Sequence, residues 1–109
     1  RRALGDSVNV CVVVPLGEAV AVFKVVDLSA GGFSFRVPRQ FFQVDPNERL
    51  KLRLKIPGCR SVRLRVIVRN LRRDPQAAGY RLIGVEVEMG PDDLVGHVTE
   101  ALDRSGRAA

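Results

Sequence analysis

The stretch from Arg49 to Ile56 reads Arg-Leu-Lys-Leu-Arg-Leu-Lys-Ile, a strict alternation of cationic and aliphatic side chains. Successive side chains of a strand point to opposite faces. The pattern therefore dictates an extended segment with Leu50, Leu52, Leu54 and Ile56 on one side and Arg49, Lys51, Arg53 and Lys55 on the other. Pro57-Gly58 is a turn signal, and Val62, Leu64, Val66 and Val68 then repeat the pattern. Two neighbouring strands sharing a basic face follow from this.

Most of the remaining chain also reads as strand. Ser7 to Val14 and Ala19 to Leu28 are rich in Val, and Pro15-Leu16-Gly17-Glu18 between them predicts a hairpin turn. Gly32 to Val37 alternates Phe33 and Phe35 with polar neighbours. Pro38 to Asn47 is a connection with its own apolar cluster of Phe41, Phe42 and Val44. Asp74 to Gly79 closes a further hairpin into Tyr80 to Met89, with Val85, Val87 and Met89 expected inward and Glu86 and Glu88 outward. Only the end predicts a helix, over 91–104. Pro91 suits a first turn, Asp92 and Asp93 complement the positive helix N-terminus, and Leu94, Val95, Val98 and Leu102 form an apolar stripe. The tail from Arg104 to Ala109 is expected to fray. Six short strands with no helix between them predict an all-β fold, a small antiparallel barrel closed by a C-terminal helix. With no internal repeat and no linker, residues 1–109 read as one domain: an arm over 1–6, a barrel over 7–89 and the helix.

Composition narrows the function classes. The chain has 109 residues, 46% of them hydrophobic and 28% charged, which is ordinary for a globular domain. Its net charge of +6 favours an anionic partner such as a nucleotide, a nucleic acid or a lipid headgroup. Cys11 and Cys59 make neither a disulfide framework nor a metal site, and they predict buried reduced thiols in a cytoplasmic protein. The most apolar stretch, Val10 to Leu28, is broken by Pro15, Gly17, Glu18 and Lys24 and predicts no membrane span. Polar Gly5, Asp6 and Ser7 after Arg1-Arg2 argue against a signal peptide, and the missing initiator Met suggests an N-terminus already trimmed.

Catalytic groupings are not in view. His97 is the single histidine and falls on the predicted helix. Ser29 lies outside any G-x-S-x-G elbow and has no second histidine to activate it. Adjacent Asp92 and Asp93 fit helix capping better than acid–base work. No Cys and His cluster offers metal spacing. The expectation is a non-enzyme without a cofactor or metal. A second candidate is the basic face of Lys51, Arg53, Lys55, Arg63, Arg65 and Arg69. A nucleic-acid platform normally interleaves aromatics, and none lies between Arg49 and Gly79. The face reads instead as a solvated barrel exterior, with Arg63 and Arg65 opposing Glu86 and Glu88 as cross-strand ion pairs.

The sharpest feature is the loop Asp27-Leu28-Ser29-Ala30-Gly31-Gly32. Asp and Ser build turns by bonding neighbouring backbone, and paired Gly permits positive φ and close approach of a ligand. Phe33 and Phe35 would anchor the turn to the core, and a double arginine stands at the N-terminus.

Asp27-x-Ser29-x-x-Gly32 before an apolar strand resembles the D/N-x-S-x-x-G signature of the PilZ domain family. Val66-Ile67-Val68-Arg69 and Tyr80-Arg81-Leu82-Ile83-Gly84-Val85 are similar to its last two barrel strands, and the order of elements agrees along nearly the whole chain. The resemblance implies a split barrel that receives the bacterial second messenger cyclic di-GMP, held between an R-x-x-x-R segment and the D/N-x-S-x-x-G loop. Carried over by position, the ligand residues are Arg1, Arg2, Asp27, Ser29, Gly31, Gly32 and Gly84. Guanidinium groups grip phosphates and guanine edges, Asp27 accepts from guanine N–H groups, Ser29 adds a hydroxyl, and the glycines admit backbone. The departure is in the arginine segment. In register with the first strand it reads Arg2-x-x-x-Asp6, an aspartate where the second arginine belongs; otherwise Arg1 or Arg2 is itself the second arginine and the first stands upstream. The implied partners are cyclic di-GMP and a protein partner or flanking domain, with a homodimer as one assembly and with outputs such as motility or biofilm formation. The alternative is a degenerate member of the family that binds no nucleotide and acts through protein contacts.

Overall fold

A computed structural model describes residues 2–4, 8–40 and 43–108. Seven strands and one helix follow in order: β1 (Arg2–Ala3), β2 (Cys11–Leu16), β3 (Ala19–Leu28), β4 (Gly32–Pro38), β5 (Arg49–Lys55), β6 (Val62–Arg73), β7 (Tyr80–Met89) and α1 (Leu94–Ala108). Strands β3-β2-β5-β6-β7-β4 pair antiparallel in that sequence, and β4 returns to β3 to close a six-stranded barrel. Closure removes the sheet edges that an open basic hairpin would expose.

The predicted alternation holds where it is strictest. Leu52, Leu54 and Ile56 are buried while Arg49, Lys51, Arg53 and Lys55 are exposed. Val10, Val12, Val14, Val25, Val66, Val68 and Ile83 fill the barrel with Phe23, Phe33 and Phe35, whose rings sit 6.0 and 5.9 Å apart along the chain of three. Each such side chain contributes about 1.5–3 kcal/mol by leaving water. Residues Leu94, Val98 and Ala101, at helical spacing, close the barrel end.

Several expectations are corrected. Strand β2 runs through Pro15 and Leu16, so the turn shrinks to Gly17-Glu18, with Gly17 at φ 63°. Pro15 is tolerated because it lies beyond the last β2 residue paired with β5. The helix begins at Leu94 rather than Pro91, since Asp93 is its N-cap: Oδ1 accepts the Gly96 N–H at 3.1 Å. It then continues to Ala108, through the tail expected to fray. Arg2 and Ala3, assigned to the arm, pair with Leu28 and Asp27 of β3. Met89 is 59% exposed rather than inward. A bulge at Glu88 of β7, between the Arg65–Met89 and Val66–Val87 pairs, sets it opposite outward-facing Arg65. Cys11 and Cys59 are free thiols but only half-buried. Phe41 and Phe42 lie outside the described residues, and Val44 joins the core.

One buried ion pair ties the end of β6 to β4. Asp74, 8% exposed, accepts from Arg36 Nε at Oδ2 and from the Gln76 N–H at Oδ1, 2.9 Å away. Burial pushes its carboxyl upward, but the hydrogen bonds from Gln76, Arg36 and Ala77 outweigh that and hold it below its ordinary value.

Candidate functional site

The Asp27–Gly32 loop is built by its own backbone. Ser29 donates to the Gly32 carbonyl twice, from its N–H at 2.9 Å and from its hydroxyl at 3.2 Å. A Cβ on Gly32 would stand 2.1 Å from the Val85 carbonyl oxygen, so only glycine lets β4 lie this close to β7. Gly31 has open space around it, and its carbonyl accepts the Val87 N–H at 2.7 Å. The carbonyls of Ser29 and Ala30 accept the Val95 and Leu94 N–H groups at 3.2 and 2.9 Å. Those donors belong to the first turn of α1 and have no partner inside the helix. The loop thus caps the helix, and neither moves without the other.

Strand registers then set a row across the outer face beside this loop. Ala3 pairs with Asp27, Asp27 with Ser34, Ser34 with Gly84 and Gly84 with Asn70. Gly84 is bare for a local reason: the Asn70 amide lies across it, within 2.6 Å of where a Cβ would be. Ser34 is fully buried in the row, and among the described residues its hydroxyl has no hydrogen-bond partner. Arg72 Nη2 stands 3.8 Å from Asp27 Oδ2, and Arg69 pairs with Glu86 at 2.6 Å. A shallow groove of about 310 Å³ runs between Ser29, Gly31, Gly32, Asn70, Gly84 and Glu86.

The fold thus brings Asp27, Ser29, Gly31, Gly32 and Gly84 to one face, with the backbone of Arg2 opposite Leu28 at its border. Arg1, Asp6 and the side chain of Arg2 lie outside the described residues. Ser34, Asn70, Arg69, Arg72 and Glu86 were not anticipated there. Ser34 was legible from its outward place between Phe33 and Phe35. The β6 residues were not, because two bulges, one on β7 at Glu88 and one on β6 at Arg69, shift the register. The same bulges redirect the expected ion pairs: Glu86 meets Arg69, and Glu88 meets Arg49 at 3.0 Å, rather than Arg65 and Arg63. Among the described residues no cluster of His, Cys, Asp and Glu is placed to hold a metal, and no helix is long and apolar enough to cross a membrane.

The family model described as PilZ domain matches residues 2–103, which include the loop, the row and most of the helix. The chain belongs to the PilZ family. PilZ domains are ligand-binding receptor modules, associated with cyclic di-GMP. A solved structure with the same fold is the Bacillus subtilis inhibitor of motility, MotI/DgrA, at a TM-score of 0.67 and 21% identity. The match covers 99% of this chain and 51% of that one, so this PilZ chain spans about half the neighbour's length. A comparison with curated protein sequences gives no match.

Proposed function

We propose that this PilZ domain is a non-catalytic cyclic di-GMP receptor of bacterial cytoplasmic signalling. The observation that supports this most is the pairing of Arg2 and Ala3 with Leu28 and Asp27, which sets the arginine-bearing segment beside the D-x-S-x-x-G loop. In this reading Arg1 and Arg2 grip phosphate oxygens and guanine edges, Asp27 accepts from guanine N–H groups, and the Ser29 hydroxyl and the backbone at Gly31 and Gly32 complete the cradle. Gly84 acts through Asn70, whose amide it allows to lie at the rim. Ligand would tighten the N-terminal segment onto the barrel and change the surface offered to a protein partner. Because the loop carbonyls cap α1, the helix is the element placed to feel the ligand. The likeness to an inhibitor of motility makes motility an output to test.

A second reading is a domain that has lost the nucleotide and works through protein contacts. Asp6, four residues after Arg2, favours it, because a carboxylate in place of an arginine repels phosphates. Titration calorimetry with cyclic di-GMP, using GMP as the control, separates the two. Saturable heat with cyclic di-GMP alone is expected; silence at concentrations well above those of a cellular second messenger favours the second reading.

A further inference from the structure

Across the six-strand ring from the β3–β4 pair, strands β5 and β6 carry a ladder of like charges. Lys51 pairs with Arg65 and Arg53 with Arg63 in direct cross-strand register. Like charges directly opposite each other destabilise a sheet. Among the described residues none of these cations has an ion-pair partner, whereas flanking Arg49 and Arg69 are neutralised by Glu88 and Glu86. The solvated-exterior reading relied on Glu86 and Glu88 serving Arg63 and Arg65, and that support is gone. Protection of a sheet edge is no explanation either, since β5 and β6 are interior to a closed barrel.

The ladder forms one side of an open groove of about 700 Å³, more than twice the volume beside the Asp27 loop. Its other side and floor are apolar. Val13 lies against Arg53 on one flank and Val22 on the other, and Pro15 pairs with Val20. Val20, Val22 and Met89 are 58%, 56% and 59% exposed, large apolar side chains left in water.

We propose that this groove docks an acidic segment of a protein partner whose carboxylates alternate with apolar side chains. In an extended segment the two sets point to opposite sides, so one set meets the cationic ladder while the other covers Val13, Val20 and Met89. Carboxylates relieve the ladder repulsion and accept bidentate bonds from arginine, and Arg and Met are side chains that interfaces favour. Nucleic acid fits less well, because no aromatic ring lines the groove and a phosphate backbone leaves the valines uncovered. A bilayer fits less well too, because the apolar floor at Val13 is recessed, only 7% exposed. Docking here does not depend on the nucleotide reading, since none of these residues borders the Asp27 row.

The test is fluorescence anisotropy with a labelled short peptide of alternating Glu and Leu. Controls are the Gln-Leu and Glu-Ser peptides, phosphatidylglycerol vesicles and single-stranded DNA. The Glu-Leu peptide is expected to bind best, with Arg53→Glu and Arg63→Glu each weakening it about tenfold or more. Val20→Ser should weaken it as well. Both charge reversals replace a repulsive cross-strand pair by an attractive one, so an undiminished melting temperature will show that they fold. Equal binding of the Gln-Leu peptide, indifference to Arg53→Glu, or tighter binding to vesicles or DNA overturns the proposal.

Discussion

The two faces of the barrel treat charge in opposite ways. On the β4 side the charges answer one another: Arg72 faces Asp27, Arg69 faces Glu86, and Arg36 holds buried Asp74. On the β5 side Lys51, Arg53, Arg63 and Arg65 stand together with no ion-pair partner among the described residues, next to bare valines. The first face is held by its own hydrogen bonds and by Gly32, where a Cβ would meet the Val85 backbone. The second is a regular ladder whose backbone would accept almost any outward side chain. Substitutions on the β4 side should therefore damage the fold, and those on the β5 side should leave or improve it.

Gly32→Ala should break the comparison most severely. The added Cβ meets backbone, the Val85 carbonyl, which has no room to retreat within a closed barrel. A loss of about 3 kcal/mol is expected, read by chemical denaturation. A neutral Gly32→Ala would mean that β4 and β7 are not apposed as described.

Asp74→Ala should cost about 1.5–3 kcal/mol, the value of hydrogen bonds to a charged group. The pH dependence carries a definite sign. The folded carboxyl lies below its ordinary value of 3.8, so its contribution is fully present above that pH and is lost as pH falls through the lower folded value. Acid unfolding curves of wild type and Asp74→Ala should converge in that window. Parallel curves there would show that the carboxylate is not held by Arg36 and Gln76.

Asp93→Ala removes the helix cap and should cost about 1 kcal/mol. Because the Ser29 and Ala30 carbonyls bond the same turn, amide exchange should rise at Leu94, Val95 and Gly96 and in the loop together. Faster exchange confined to the helix would separate the two elements. The smallest effect is on the other face: Arg63→Glu should raise stability by about 0.2–1 kcal/mol, measured by thermal unfolding. A clear loss there would mean that the ladder is neutralised in a way its register does not suggest.

What the chain revealed in advance follows the same division. Strand β5 was readable residue by residue, because strict alternation has one geometric solution. The Asp27–Gly32 loop was readable because Asp, Ser and paired Gly occur together for few backbone reasons. The outer partners of that loop were not, because one bulge on β7 at Glu88 and one on β6 at Arg69 change which β6 residues stand opposite Gly84 and Glu86 by amounts that periodicity does not encode. Met89 was misplaced for the same reason. Asp92 and Asp93 read as a capping pair, yet which of them is the N-cap, with the start at Leu94, needed coordinates. Proline at Pro91 pointed three residues too early.

The measurement that tests the central claim most directly is a calorimetric titration of cyclic di-GMP into wild type, Arg2→Ala and Ser29→Ala. Wild type should bind, and Arg2→Ala should weaken binding about tenfold to a hundredfold, since hydrogen bonds to a charged group are worth about 1.5–3 kcal/mol. Ser29→Ala should weaken it less. Arg2→Ala should unfold near the wild-type temperature, and Ser29→Ala should stay folded with a somewhat lower one, because its hydroxyl bond to the Gly32 carbonyl is gone. Wild-type binding that both folded variants retain in full would contradict the assignment of the ligand to the Asp27 face.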